Sequence, residues 1–416
     1  MSEVSEIVDV KKVVSDLKNN PVFRMSLASK ELFHSNMLAW LLESKDIENH
    51  LPSEIAKELA KLFMPDYTVL TVLRERKHFD LLIVLFPTKG YDYTIKNSPT
   101  EIEDIFQNSG SGDKNLLDKL QKNCQFVVVE NKFKSIPNKP QLDEYKNKAK
   151  ITFGTKESKI EMTDKNITYY LLAPQVSLDH FEGCDGWETK ISWDKISDTL
   201  SEAVKTKEKS DPFTGKFIEY YADFLKNMLE LTKDIEKKLK SYDKNAFPNP
   251  DDIRELSKIR IHDFYEKLWF SVLLSKIEIT NEDKMELLKG SGYTRSLGLL
   301  DFKITDAEKH VVRGVQIQNL QLRVILEPQI AIKKGDDRYT WQKTYAENDF
   351  NDYFQDIFKK IGEEPNGKLC KFGDFKYQYT PIDHKISIKD LSKKINNALD
   401  AIYHQSPSEN LEGRKK

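Results

Sequence analysis

Four consecutive apolar residues, Phe126 to Val129, stop abruptly at Glu130, Asn131 and Lys132. A short run of this kind, dominated by valine, is the pattern of a strand buried on both faces. Such a strand requires packed layers above and below it, which points to an α/β core rather than to an open sheet or a helical bundle. It also leaves three polar residues at the strand's end, the position from which rigid elements present reactive groups.

The neighbouring segments agree with this reading. Ile7, Val10, Val14 and Leu17 lie at helical spacing before Asn19, Asn20 and Pro21 end the pattern. A second helix is predicted from about Lys30 to Ser44 and a third after Pro52 and Ser53. Two apolar runs follow, Thr68 to Leu73 and Phe79 to Phe86, joined by the charged turn Glu75 to His78, which together read as a hairpin. The polar stretch 87–122 is taken as an insertion that the core does not need. Beyond Lys132, Pro140 opens a helix and Ile167 to Leu172 forms another buried strand. A strand-like piece at Thr189 to Trp193 precedes helices over about 195–205 and 211–240.

At 416 residues the chain exceeds what one hydrophobic core comfortably supports. The Asn- and Pro-bearing stretch 241–252 is a natural seam, so the expected division is a first domain over 1–247 and a second α+β domain over 248–416. In the latter, a helix is predicted over 262–276, strands between Tyr293 and Ile332, and a final helix from Ile388 to Tyr403. No apolar run is long enough to span a bilayer, and MSEVSEIVDVKK has acids where a signal peptide has bases. The expected compartment is the cytoplasm, with Cys124, Cys184 and Cys370 as reduced thiols. A net charge of -2 gives no global attraction for a polyanion, so any nucleic-acid surface is a local patch; Lys146, Lys148 and Lys150 are a candidate source, with a solvated helix face as their other reading.

The chemistry concentrates at strand ends. Asp80 begins one apolar strand, Glu130 closes another, and Lys132 follows two positions later, on the same side by the period of a strand. If these strands are neighbours, two carboxylates can hold a hard cation while the lysine orients or deprotonates an attacking water. Asn131 would point away, leaving its backbone carbonyl as a further ligand. A surface ion pair is the competing reading for this triplet. Gln141 and Tyr145 share one face of the following helix, at i and i+4.

These residues resemble the PD-(D/E)XK nuclease superfamily, within it a poorly characterised bacterial group with a Glu-Asn-Lys signature. ELFHSNMLAWLLES looks like that group's opening helix, FDLLIVLF its aspartate strand, VVVENKF its signature and PQLDEY its Gln-x-x-x-Tyr helix. The resemblance implies a restriction-endonuclease-like fold, a mixed central sheet flanked by helices. It places metal-binding acids at Asp80 and Glu130 with Glu31 in support, the lysine at Lys132, and substrate contacts at Gln141 and Tyr145. By its own chemistry His34 is a candidate to contact a phosphate or assist a proton transfer, with hydrogen-bonded packing beside the core as its other reading. Two departures stand out: Phe79 replaces the proline before Asp80, and about fifty positions separate the two acids.

The resulting expectation is a nuclease using Mg2+ or Mn2+ to hydrolyse DNA, in defence or repair. Endonuclease action is favoured only because helicase parts are absent. A homodimer is compatible with cutting two strands. The alternative is an inactive module of the same fold that binds nucleic acid or a partner protein. No phosphate-binding GxxxxGK[ST] loop, GxGxxG, HExxH or GxSxG motif supports a different chemistry.

Overall fold

The computed structural model describes residues 8–26, 31–45, 52–75, 79–89, 101, 104–106, 114–134, 137, 139–149, 151–154, 159–181, 183–205, 212–280, 285, 287–294, 297–306, 311–328, 347–366, 369–372 and 375–405. The chain divides into two compact units, one formed by residues 1–233 with 255–261 and the other by 234–254 with 262–416. The division falls inside a long helix, Pro212–Lys238.

The first unit opens with helices α1 (Val10–Asn19), α2 (Pro21–Met25), α3 (Glu31–Leu42) and α4 (Glu54–Phe63). Asp9, Asn20 and Ser53 cap α1, α2 and α4 by accepting from amides of the first turn. Strand β1 (Tyr67–Arg74) then pairs antiparallel with β2 (Leu81–Pro87), as the hairpin pattern requires. A bulge between Val69 and Thr71 interrupts their register. The Glu43 carboxylate fills it, accepting from the Val72 amide at 2.8 Å and the Thr71 hydroxyl at 3.2 Å.

After helix α5 (Lys114–Asn123), strand β3 (Gln125–Asn131) joins β2 antiparallel. Helix α6 (Lys139–Lys148) and the small ribbon β4 (Thr152–Gly154) and β5 (Lys159–Glu161) lead to β6 (Ile167–Leu172), which lies parallel to β3. Helix α7 (Gln175–Asp179) and strand β7 (Trp187–Glu188) follow, giving a mixed sheet of order β1-β2-β3-β6-β7. Helices α8 (Trp193–Lys205) and α9 (Pro212–Lys238) come next. This is the flanked mixed sheet expected of the α/β core, and Phe126, Val127, Val128 and Val129 are all fully enclosed.

Two expectations are corrected. The strand-like piece at 189–193 is a two-residue strand at Trp187–Glu188, and Trp193 instead begins α8. The stretch 87–122 is not dispensable to the core: Ile105, Phe106, Leu117 and Leu120 pack with Leu82, Val84, Phe126 and Val128. Its few apolar residues are diluted by charge, but Leu117 and Leu120 are three apart on a helix and therefore share a face.

The second unit is an antiparallel sheet of order β12-β13-β11-β10-β9-β8, built from β8 (Leu287–Thr294), β9 (Leu297–Asp306), β10 (Val311–Gln318), β11 (Gln321–Pro328), β12 (Cys370–Phe372) and β13 (Phe375–Pro381). Its helices are α10 (Pro250–Ser257), whose last turn from Glu255 belongs to the first unit, with α11 (His262–Lys276), α12 (Glu347–Lys360) and α13 (Ile388–Tyr403). Arg313 donates to the carbonyls of Ile402 and Gln405, tying β10 to the end of α13. Among the described residues no helix is long and apolar enough to cross a membrane.

Because Leu120 is fully buried in the first unit's core, Leu120→Ala should destabilise the protein by about 2–5 kcal/mol. Urea unfolding measures this. An unchanged midpoint would return 87–122 to the status of a surface excursion.

Candidate active site

The register of β2 on β3 decides the site. Leu81 lies opposite Val129, so the next residues outward, Asp80 and Glu130, meet at the same end of the sheet. Asp80 is fixed by the backbone amide of Asn131, which donates to its Oδ2 at 2.7 Å. Lys132 sits just past the strand, where its amide donates to the Leu172 carbonyl at 2.8 Å. Its Nζ lies 2.8 Å from Glu130 Oε1. The three residues predicted from strand ends are thus gathered in one place.

The gathering is buried, and charge there is costly. Glu130 is 3% exposed and its Oε2 has no hydrogen-bond partner. Burial, reinforced by the neighbouring Asp80, pushes its carboxyl up to about 7, against the opposing pull of Lys132. Asp80 is also raised, first by burial and then by Glu31, although the Asn131 amide and Lys132 oppose the shift. For Lys132 burial disfavours the ammonium, but Glu130, Glu31 and Asp80 together outweigh it and raise its pKa. Lys132 is therefore held as a cation.

Glu31, the first residue of α3, is close enough to act electrostatically on all three. Its Oε1 accepts from the Lys134 amide at 3.0 Å. Asn131 points to the opposite side of the sheet from Glu130, as strand alternation demands. There its Nδ2 donates to the Glu31 carbonyl at 3.0 Å and to Ser35 Oγ at 2.9 Å. Its Oδ1 accepts from the Trp193 indole at 2.9 Å and the Phe133 amide at 3.1 Å. Both donors and both acceptor positions of this side chain are occupied.

Gln141 donates to the Tyr145 hydroxyl at 2.7 Å, as their i, i+4 spacing allows. Tyr145 packs edge-on against Phe79, the residue before Asp80, at 6.0 Å between centroids. His34 is a correction. It is completely enclosed, stacked on Phe133 at 3.8 Å, with Nδ1 3.1 Å from the Tyr221 hydroxyl, so it presents nothing to a phosphate. A helix position beside the core put it inside. Trp193 and Ser35 were given no role in the sequence reading. Ser35 stands in the opening-helix motif, but nothing local marks Trp193, which is distant in sequence from the residue it contacts.

Do these residues suit a divalent cation? Among the described residues no three His, Cys, Asp and Glu side chains form a group that could hold a metal. Mg2+ is usually held by one or two carboxylates, completing its shell with water and substrate phosphate. A buried carboxyl with an unpartnered oxygen, next to a half-buried second one, is a donor set of that kind, and the residues fit the ion.

Residues 22–223 match the model of the PD-(D/E)XK nuclease superfamily. The mixed sheet, with Asp80, Glu130 and Lys132 at one end of its inner strands β2 and β3, agrees with that match. Comparisons with curated proteins and with solved structures return no match.

Burial lowers the His34 pKa from 6.5 to about 3. The folded state keeps the ring neutral while the unfolded chain protonates near pH 6.5, so stability should fall as pH drops from about 6.5 toward 3 and be unaffected by this group above that window. Denaturant midpoints at pH 4.5 and 7.0 should differ less in His34→Gln than in the parent. Equal differences would place the ring in water.

Proposed function

We propose that the first unit is a divalent-cation-dependent nuclease that hydrolyses phosphodiester bonds in DNA, with Asp80, Glu130 and Lys132 as the reacting centre. The observation that carries this reading is the meeting of the half-buried Asp80 carboxyl with the buried Glu130 carboxyl, which has an unpartnered oxygen and is ion-paired to the buried Lys132. The match to a superfamily of nucleases supports the reaction class.

In this reading Asp80 and Glu130 hold Mg2+ or Mn2+, with Glu31 adding negative charge and the Asn131 backbone carbonyl as a further ligand. A hard cation so bound lowers the pKa of water and offsets charge on the phosphate. Hydrolysis forms a bond from water oxygen to phosphorus and breaks one phosphorus–ester bond, the leaving oxygen taking up a proton. The carboxyls of Glu130, Glu31 and Asp80 favour the charged form of Lys132. It serves as the fixed cation that orients the nucleophile and stabilises charge growing on the phosphoryl oxygens. Gln141 and Tyr145 contact the scissile strand. Endonucleolytic cleavage, and a setting in defence or repair, complete the proposal.

Purified protein with Mg2+ or Mn2+ should cut supercoiled or linear DNA. Asp80→Ala and Lys132→Ala should each lower the rate by about 100-fold or more while remaining folded. Undiminished cutting by these variants would move the centre elsewhere. Salt-sensitive DNA binding without any cutting would make the unit a binding module instead. In the absence of DNA, Mn2+ should raise the Tm of the parent and leave Asp80→Ala unchanged, since only a state that binds the ion gains from it.

A further inference from the structure

The residue most closely connected to the site touches no reacting group through its side chain. Asn131 is 1% exposed and joins the first turn of α3, the bend after β3 and the start of α8. Its backbone amide holds Asp80, and its sequence neighbours are the ion-paired Glu130 and Lys132. Its Nδ2 is bonded to the carbonyl of Glu31, so the side chain also sets where that acid's backbone begins. The orientation of the amide group is unambiguous, because both partners of Oδ1 are N–H donors and Nδ2 faces a carbonyl.

One of those partners is the Trp193 indole. Trp193 is fully buried, its own amide donates to the Ala173 carbonyl at 3.0 Å, and its ring stands edge-on to Phe133 at 5.4 Å. The indole is therefore anchored independently of Asn131, at the end of β6, and is rigid enough to hold the amide in place. The bend closed by Asn131 Oδ1 on the Phe133 amide carries Lys132 at its centre. If the amide rotated, the Lys132 backbone and the amide that grips Asp80 would move with it.

We infer that Trp193 is a positioning residue of the nuclease centre: through Asn131 it sets the placement of Lys132, Asp80 and Glu31 relative to Glu130. Ser35, which accepts from Asn131 Nδ2 and donates to the Glu31 carbonyl at 3.2 Å, is the second arm of the same device. This inference rests on the proposed nuclease reading, and the test separates the two.

Trp193→Phe removes the indole donor and keeps an aromatic ring. Ser35→Ala is a smaller change that serves if the tryptophan variant folds poorly. Steady-state cleavage with Mn2+ and calorimetric Mn2+ titration should be run on the parent, both single variants and the double variant, with Tm as the folding control. Trp193→Phe should lower kcat by about tenfold, with KM for DNA within about twofold, and weaken Mn2+ binding. Ser35→Ala should do the same to a smaller extent. The double variant should lose less than the product of the two effects, since both act through one amide. A parent that cleaves and binds Mn2+ alongside variants that match it would overturn the positioning role and leave the nuclease reading intact. Loss of KM and kcat in proportion to lost Tm would also overturn it, as plain destabilisation. A parent that neither cleaves nor binds Mn2+ would sink both.

Discussion

The hydrogen-bonded register between β2 and β3 is the constraint on which the first unit's chemistry depends. Pairing Leu81 with Val129 carries Asp80 and Glu130 to one end of the sheet. A shift of one residue would reverse the face presented by every side chain of the moved strand. The register is held because Leu81, Leu82, Ile83 and Val84 face fully buried partners on β3 from both sides of the sheet. Hydrophobic burial on two faces thus provides the precision that two like-charged carboxyls need to be kept together against their own repulsion.

Beneath the acids lies a polar layer in which nearly every group is matched. Asn131 has all its positions filled, and the Ser35 hydroxyl both donates and accepts. A fully satisfied buried network of this kind is rigid, because each bond fixes the donors of the next. Among the described residues of this layer His34 Nε2 and Glu130 Oε2 have no hydrogen-bond partner, and the carboxyl oxygen stands where a ligand is expected to complete the set. Burial without a partner is costly for a carboxylate, so this oxygen gains by taking up a cation. His34, neutral and stacked between Phe133 and the Tyr221 hydroxyl, belongs to the supporting side of this arrangement.

Much of this was legible in the sequence where pattern and local geometry coincide. The helix over His262–Lys276, the last helix Ile388–Tyr403 and the strand Ile167–Leu172 stand where periodicity placed them. The adjacency of Asp80 and Glu130 was an inference from two strand ends that the register then met. Leu117 and Leu120 were hidden because two apolar residues in a charged helix resemble a solvated one. Trp193 was hidden for another reason: its partner is Asn131, and no local pattern records a contact between residues so far apart. In the second unit, the helix Glu347–Lys360 and the strands β12 and β13 were not anticipated either.

The amino-acid sequence alone determined the layered α/β core, the candidate triplet Asp80, Glu130 and Lys132 and the family it resembles, because strand periodicity and residue chemistry are local properties. Only the tertiary structure decided that Asn131 binds Trp193 and Ser35, that His34 is closed off from solvent, and that Lys132 pairs with Glu130 in a buried setting. Those outcomes depend on burial and on distances between residues remote in the chain. Neither quantity exists until the sheet and its helices have packed.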